Sequence, residues 1–333
     1  MSSPESERSA PRRAGVRDVA EAAGVSTQTV SRVLNGFPHI RDETRARVLA
    51  AVDALGYRMN NAARALGTRT TRTLGVIASD TDMFGPAAGL AALAAVARES
   101  GRWIATAYAD PADPASTAAA VRHLLDQGVD GLVVLAPHAG ARAVLDAERG
   151  DVPVAFLHGD GAAETQSAAA ALAVHHVCAL GHSRIAELHG PPDWLEAEAR
   201  RHGVARALEA AGAQRAGVWA GDWSAASAAR IAGEVAAAVA APDGPTAVVV
   251  ANDQMALGLI AGLRAHGVAV PTDLSVVGFD DNPDAAFYLP ALTSVRLDVL
   301  GEARRAIAAV LGEAPPPAPE PPLLVVRAST TSR

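Results

Sequence analysis

The sequence predicts an α/β protein in which an all-helical N-terminal unit precedes two Rossmann-like lobes. Three observations carry this. Apolar residues between Val16 and Leu55 recur at helical spacing, and from Thr73 onward short apolar strands alternate with alanine-rich helices. These strand–helix units are too numerous for one small parallel sheet, and 333 residues suffice for two or three folding units.

In the first unit Val16, Val19, Ala20 and Ala23 share a helical face, Gly24 and Val25 interrupt it, and Val30, Val33 and Leu34 resume it. That is a helix, a tight turn and a second helix, with Ser26 placed to cap the second and Asn35-Gly36 to end it. A third helix is expected from Asp42 to Leu55, with Val48, Leu49, Val52 and Leu55 facing one way, acidic residues at its positive end and Gly56 closing it. Asn60 to Leu66 forms a fourth only with a partner, because a helix that short does not hold in water.

Strands follow at Leu74–Ala78, Trp103–Ala107, Gly131–Leu135, Val152–Leu157, Arg184–Leu188, Gly217–Ala220, Ala247–Ala251, Ser275–Phe279 and Leu323–Ala328. The proline-rich run 314–322 cannot continue a helix. No heptad repeat follows it, so no coiled-coil tetramerisation segment is expected.

Composition narrows the function. No apolar run approaches the ~20 residues that cross a bilayer, so no membrane partner is expected. The polar stretch 1–13 reads as a disordered leader without the apolar core of an export signal. A single cysteine, Cys178, excludes an intramolecular disulfide and suits a reducing cytoplasm. The net charge of −7 is unevenly distributed: residues 1–72 carry 12 arginines against 7 carboxylates, whereas the remainder is strongly acidic. The front of the chain is therefore the part suited to a polyanion.

Thr27, Gln28 and Arg32 lie on the outer side of the second helix, opposite Val30, Val33 and Leu34. Gln can bond adenine at two points, Arg can do the same with guanine, and a Thr methyl can touch thymine, which makes these three the candidate base readers. The ungapped stretch from Val16 to Asn35 (VRDVAEAAGVSTQTVSRVLN) strongly resembles the helix-turn-helix DNA-binding headpiece of the LacI/GalR (lactose-repressor) family of transcription regulators. The resemblance implies that Ser26, Thr29, Ser31, Asn35, His39, Thr44 and Tyr57 contact the DNA backbone or support the headpiece, a structural role for His39 being equally open. It further implies that Asn60, Ala63, Arg64 and Leu66 belong to a hinge helix in the minor groove, with Leu66 as the wedge that kinks DNA; the plainer alternative is a linker with a buried Leu. Met59 and Arg41 depart from the family's usual Pro and Ser.

The resemblance continues through the segments 181–185 (GHSRI), 221–227 (GDWSAAS), 251–258 (ANDQMALG) and 276–281 (VVGFDD) and implies two lobes of the periplasmic-binding-protein type. Expected boundaries are 14–59 for the DNA-binding domain, 60–71 for hinge and linker, 72–166 with about 296–313 for the first lobe, and 167–295 with about 322–329 for the second. Arg200, Trp223, Asn252 and Asp280 fall on family positions that hold an effector, at strand ends where open parallel sheets bind ligands. Their chemistry suits a carbohydrate-like molecule: carboxylate, amide and guanidinium bond hydroxyls, and an indole covers an apolar sugar face. Core packing remains open for Trp223 and an ordinary loop carboxylate for Asp280. Phe84, in Phe84-Gly85-Pro86, either walls the site from the first lobe or simply packs. Val204, Leu297 and Val299 stand where a family member has Trp, Gln and Phe, and 166–170 lacks the usual Asp-plus-Gly pattern, which implies a reshaped pocket.

His175, His176, Cys178 and His182 have metal-binding chemistry but not metal-binding spacing, and no phosphate loop, HExxH or GxSxG element appears. Neither metal, cofactor nor catalysis is expected. The sequence therefore predicts a homodimeric repressor that binds a pseudo-palindromic double-stranded operator, because paired headpieces require two-fold related half-sites. A solute-binding receptor without a DNA-binding role is the alternative; it has no use for residues 14–66.

Overall fold

The computed structural model describes residues 14–58, 70–79, 81–110, 113–135, 138, 140–157 and 162–333. Asn60, Ala63, Arg64 and Leu66, and with them the hinge, lie outside the described residues. Two compact units divide at Thr71 and Arg72.

The first unit contains α1 (Val16–Ala23), α2 (Thr27–Leu34) and α3 (Asp42–Leu55). Its core consists of Val19, Ala20, Ala23, Val30, Val33, Val48 and Ala51, with Tyr57 packed at its margin. Gly24 and Gly56 end α1 and α3 in the left-handed conformation, which costs glycine little. The inward face of α3 differs from the expected one: Val48, Ala51 and Val52 point to the core, whereas Leu49 and Leu55 are exposed. A step of one residue turns Leu49 about 100° away from Val48, and so small a bundle buries only one narrow stripe.

In the second unit the first lobe is a parallel sheet ordered β2-β1-β3-β4, from β1 (Thr73–Ala78), β2 (Trp103–Tyr108), β3 (Gly131–Val134) and β4 (Val154–Phe156). Helix α4 (Phe84–Glu99) covers one face, and α5 (Pro114–Asp126) with α6 (Ala141–Glu148) covers the other.

The second lobe is a six-stranded sheet ordered β10-β9-β8-β7-β5-β6, built from β5 (Arg184–His189), β6 (Gln214–Ala220), β7 (Ala247–Val250), β8 (Ser275–Phe279), β9 (Thr293–Arg296) and β10 (Leu323–Val325). Only β10 runs antiparallel to its neighbour. Helices α7 (Ala162–Ala179) and α8 (Leu195–Ala211) pack on one face, α9 (Ala225–Val239) and α10 (Asp253–Ala265) on the other. Close helix contact requires glycine at 203, where a Cβ would meet the Ser167 carbonyl oxygen at 2.1 Å, and at 258, where it would meet that of Ala225 at 1.8 Å.

Strand β9 was not expected. Its four residues, Thr-Ser-Val-Arg, offer no apolar run, yet Thr293 and Ser294 are fully buried because their polar groups are bonded. From β9 the chain crosses to the first lobe as α11 (Val299–Leu311), which packs on α4, β3 and β4, and returns to the second lobe as β10.

Two of the three histidines weighed as metal ligands, His176 and His182, fasten the C-terminal tail. His182 accepts the Thr246 hydroxyl at Nδ1 (2.8 Å) and donates from Nε2 to the Thr331 carbonyl (3.0 Å); His176 Nε2 meets the Thr330 hydroxyl at 3.0 Å. Among the described residues no three His, Cys, Asp or Glu side chains group as a metal site, and no helix is long and apolar enough to cross a membrane.

Burial lowers the pKa of both His176 and His182 below the ordinary 6.5. The unfolded chain therefore takes up these protons first as the pH falls, so the stability they allow is complete above about 6.5 and is lost toward the lowered folded values. Measured by denaturant unfolding, the stability of His182→Gln relative to the parent should rise between about pH 7.5 and about pH 5; a difference that is the same at both pH values excludes His182 as a source.

Candidate functional site

The first unit presents one polar face. Ser26 caps α2, its Oγ accepting the Thr29 N–H at 3.1 Å and lying 2.9 Å from the Thr29 hydroxyl, so both side chains are engaged in starting the helix, worth about 1 kcal/mol. Asn35 Nδ2 donates to Ser31 Oγ at 3.3 Å at the other end. Thr27, Gln28, Ser31 and Arg32 are exposed, as is His39 beyond α2, while Thr44 in the first turn of α3 and Tyr57 after it are half-buried. The candidate base readers thus stand on one side of α2 with the buried Val30 and Val33 on the other.

In the second unit a cleft opens between the lobes. Met83, Gly85, Pro86 and Leu135 line it from the first lobe; Trp194, Glu196, Arg200, Trp223, Asn252 and Asp280 line it from the second. Four of the five expected effector residues therefore meet there. Phe84 does not line the cavity, unlike both its neighbours; its backbone N–H donates to Gln254 Oε1 across the lobes at 2.9 Å.

Arg200 is the hub. Its Nε donates to Gln166 Oε1 at 2.8 Å, its Nη1 to the Ala251 carbonyl, and its Nη2 faces Asp280 Oδ1 at 3.6 Å, while the guanidinium carbon sits 3.7 Å from the Phe279 ring centroid. Asn252 caps α10 by accepting the Met255 N–H at 2.8 Å and donates to the Trp223 carbonyl at 3.0 Å. That bond holds Trp223 at φ 72°, a conformation unusual for a bulky residue. The indole lies over Gly190, where a Cβ would meet it at 2.3 Å, and its edge packs against Trp194 at 5.5 Å between centroids.

The cavity is rich in buried carboxyls. Burial raises Asp280 to about 6, against the opposing pull of Arg200, and raises Glu196 to about 7. Asp253, beside them, is pushed up to about 8, first by burial and then by Asp280, although Ser294 Oγ (2.6 Å) and the Asn282 N–H (2.8 Å) donate to it. Two buried polar atoms on cavity-lining residues, Trp223 Nε1 and Glu196 Oε2, have no hydrogen-bond partner.

Two family models match the chain: the lacI family of bacterial regulatory proteins over residues 15–60, and the periplasmic binding protein-like domain over 174–330. The lactose operon repressor of Escherichia coli K12 is 35% identical over 298 residues, spanning 84% of this chain and 79% of that protein. The chain belongs to the lacI family. The regulator reg1 of Streptomyces lividans is 36% identical, with 95% of this chain and 96% of that protein covered. A solved lac repressor dimer, bound to operator and the anti-inducer ONPF, matches at TM-score 0.81 and 32% identity over 96% of this chain and 100% of that one. A CelR–cellobiose complex matches at TM-score 0.66 and 28% identity over 95% of this chain and 100% of that one.

Within this family fold, sequence reasoning missed Glu196, Trp194 and Met83. A signal for Glu196 existed: it lies four residues before Arg200 on α8, the spacing that places Glu and Arg on one helix face. Of the departures noted in the sequence, Val204 is buried in the core on the α7–α8 face and Leu297 packs against that core, so neither lines the cavity.

The folded carboxyl of Glu196 titrates near 7, well above its ordinary 4.5, so the stability associated with its neutral form is complete below 4.5 and lost as the pH rises through 7. Glu196→Gln, which never ionises, should therefore be more stable than the parent by about 1 to 3 kcal/mol near pH 8 and equal to it near pH 4. Thermal melts at both pH values check this; an equal gain at both would place its cause elsewhere.

Proposed function

We infer that this protein is a dimeric, operator-binding transcription repressor whose DNA affinity is set by a small carbohydrate-like effector held between the lobes. The observation that carries the reading is the coexistence in one chain of an exposed polar α2 face on an arginine-rich helical unit and a lobe cavity with unpartnered buried polar groups. Its similarity to an operator-bound repressor dimer spans both parts. In this reading the protein acts in the cytoplasm, where its DNA lies.

Thr27, Gln28 and Arg32 read bases, and Ser26, Thr29, Ser31, Asn35, His39, Thr44 and Tyr57 set the register on the backbone or brace the headpiece. Arg200, Trp223, Asn252 and Asp280 hold the effector, with Asn252 acting mainly by fixing Trp223. An effector bridging the lobes favours one lobe arrangement over another, and that difference in affinity changes how a pair of headpieces is presented to DNA.

Arg32→Ala should weaken operator binding by about 1 to 3 kcal/mol and relax preference at one position per half-site, as for loss of a bidentate base contact. Binding to a randomised site library decides: a uniform loss on all sequences makes Arg32 a phosphate contact.

Asp280→Ala should abolish the response to a sugar while operator binding without sugar stays intact. Loss of charged hydrogen bonds at about 1.5 to 3 kcal/mol each lowers effector affinity at least about tenfold. Sugar titration of the operator complex, with circular dichroism as the folding control, tests it. A folded variant responding at the parent's sugar concentration removes Asp280 from the site.

A further inference from the structure

We propose that the effector carries a positively charged amine, and that Glu196 is the residue that selects it. The inference rests on the carbohydrate-like reading above and narrows it. Glu196 lines the cavity with only 7% of its surface exposed, and its Oε2 has no hydrogen-bond partner. A buried carboxylate oxygen without a donor is costly, and such an atom at a ligand cavity calls for a donor from the ligand.

The charge balance specifies what kind of donor. Glu196 and Asp280 both line the cavity, with Asp253 behind them, and Arg200 is the cation they share. That guanidinium is already committed to Gln166, Ala251 and Asp280. Burial favours the neutral form of Glu196, so a neutral hydroxyl satisfies the oxygen without drawing out a charge, whereas an ammonium both supplies the missing donor and holds the carboxylate in its ionised form.

The walls agree. Trp194 and Trp223 stand edge to face at 5.5 Å, and the faces of such rings attract a desolvated cation. The Trp223 Nε1–H, also without a partner, offers a donor to a ligand hydroxyl beside the amine. A metal ion is a poorer occupant, since no three potential ligands group here among the described residues. The occupant that fits is a small polyhydroxylated amine of the amino-sugar class.

Calorimetry on the full chain should compare galactose, galactosamine and N-acetylgalactosamine with glucose, glucosamine and N-acetylglucosamine. In at least one series the free amine should bind about tenfold or more tightly than both the neutral sugar and the uncharged acetamide. Glu196→Gln, an isosteric change whose folding is checked by its melting temperature, should erase that preference, and Glu196→Asp, which keeps the charge, should retain part of it.

Neutral sugars that bind as well as or better than their amines overturn the amine inference and leave the carbohydrate reading standing. A preference that survives Glu196→Gln overturns the assignment to Glu196. No binding by any member at millimolar concentration overturns both the inference and the reading beneath it.

Discussion

The second lobe is organised around one buried cation. Arg200 reaches from α8 to Gln166 on α7, to the carbonyl at the end of β7 and to the carboxylate after β8, so three elements distant in sequence converge on one guanidinium. Burial works against that charge, and Asp280 followed by Glu196 supports it. A buried ion is tolerated only when paired and fully bonded, so these partners are bound to one another's geometry. The same guanidinium stacks on Phe279 and lies 5.7 Å from the Trp223 ring, which couples the charged floor of the cavity to its aromatic wall.

Backbone strain gathers at the same place. Among the described residues four non-glycine positions have positive φ, and three of them, Trp223, Asp280 and Asp281, lie in the two loops that build the cavity's second-lobe side. Each is restrained from outside: Trp223 by Asn252, Asp280 through its N–H to the Val295 carbonyl at 2.8 Å, and Asp281 by Arg296 and Arg327. Costs of about 1 to 3 kcal/mol per strained residue persist only where surrounding bonds overdetermine the conformation. For Asp280 and Asp281 those bonds come from β9 and the chain after β10, so the late return of the chain to this sheet steadies the loop that carries Asp280.

That return also ties the lobes. The chain leaves β9, lays α11 on the first lobe and comes back as β10, while Phe84 N–H to Gln254 and the packing of His138 against Trp194 at 4.6 Å join the lobes beside the cavity. The cavity is thus lined by groups from both lobes, the physical requirement for a ligand to bias their arrangement.

Local pattern in the sequence determined the helices of the first unit, the cap at Ser26 and nearly every parallel strand, because periodicity and capping depend on neighbours within a few residues. The exposed side of α2 was legible for the same reason: Val30 and Val33 must point inward, which leaves Thr27, Gln28 and Arg32 outward. The family resemblance pointed to Asp280, and tertiary structure supplied the physical reason that it, and not the adjacent carboxylate, faces the cavity. Asp281 is consumed by Arg296 and Arg327 from distant segments, leaving Asp280 for Arg200, and nothing within the run Asp280-Asp281 distinguishes them. Tertiary structure decided that Phe84 turns aside while Met83, Gly85 and Pro86 line the wall, that β9 forms from a polar tetrapeptide, and that Glu196 lies buried at the site instead of on a solvated helix face. In each case the deciding partner is remote in sequence, and the environment of a side chain is set by what folds over it.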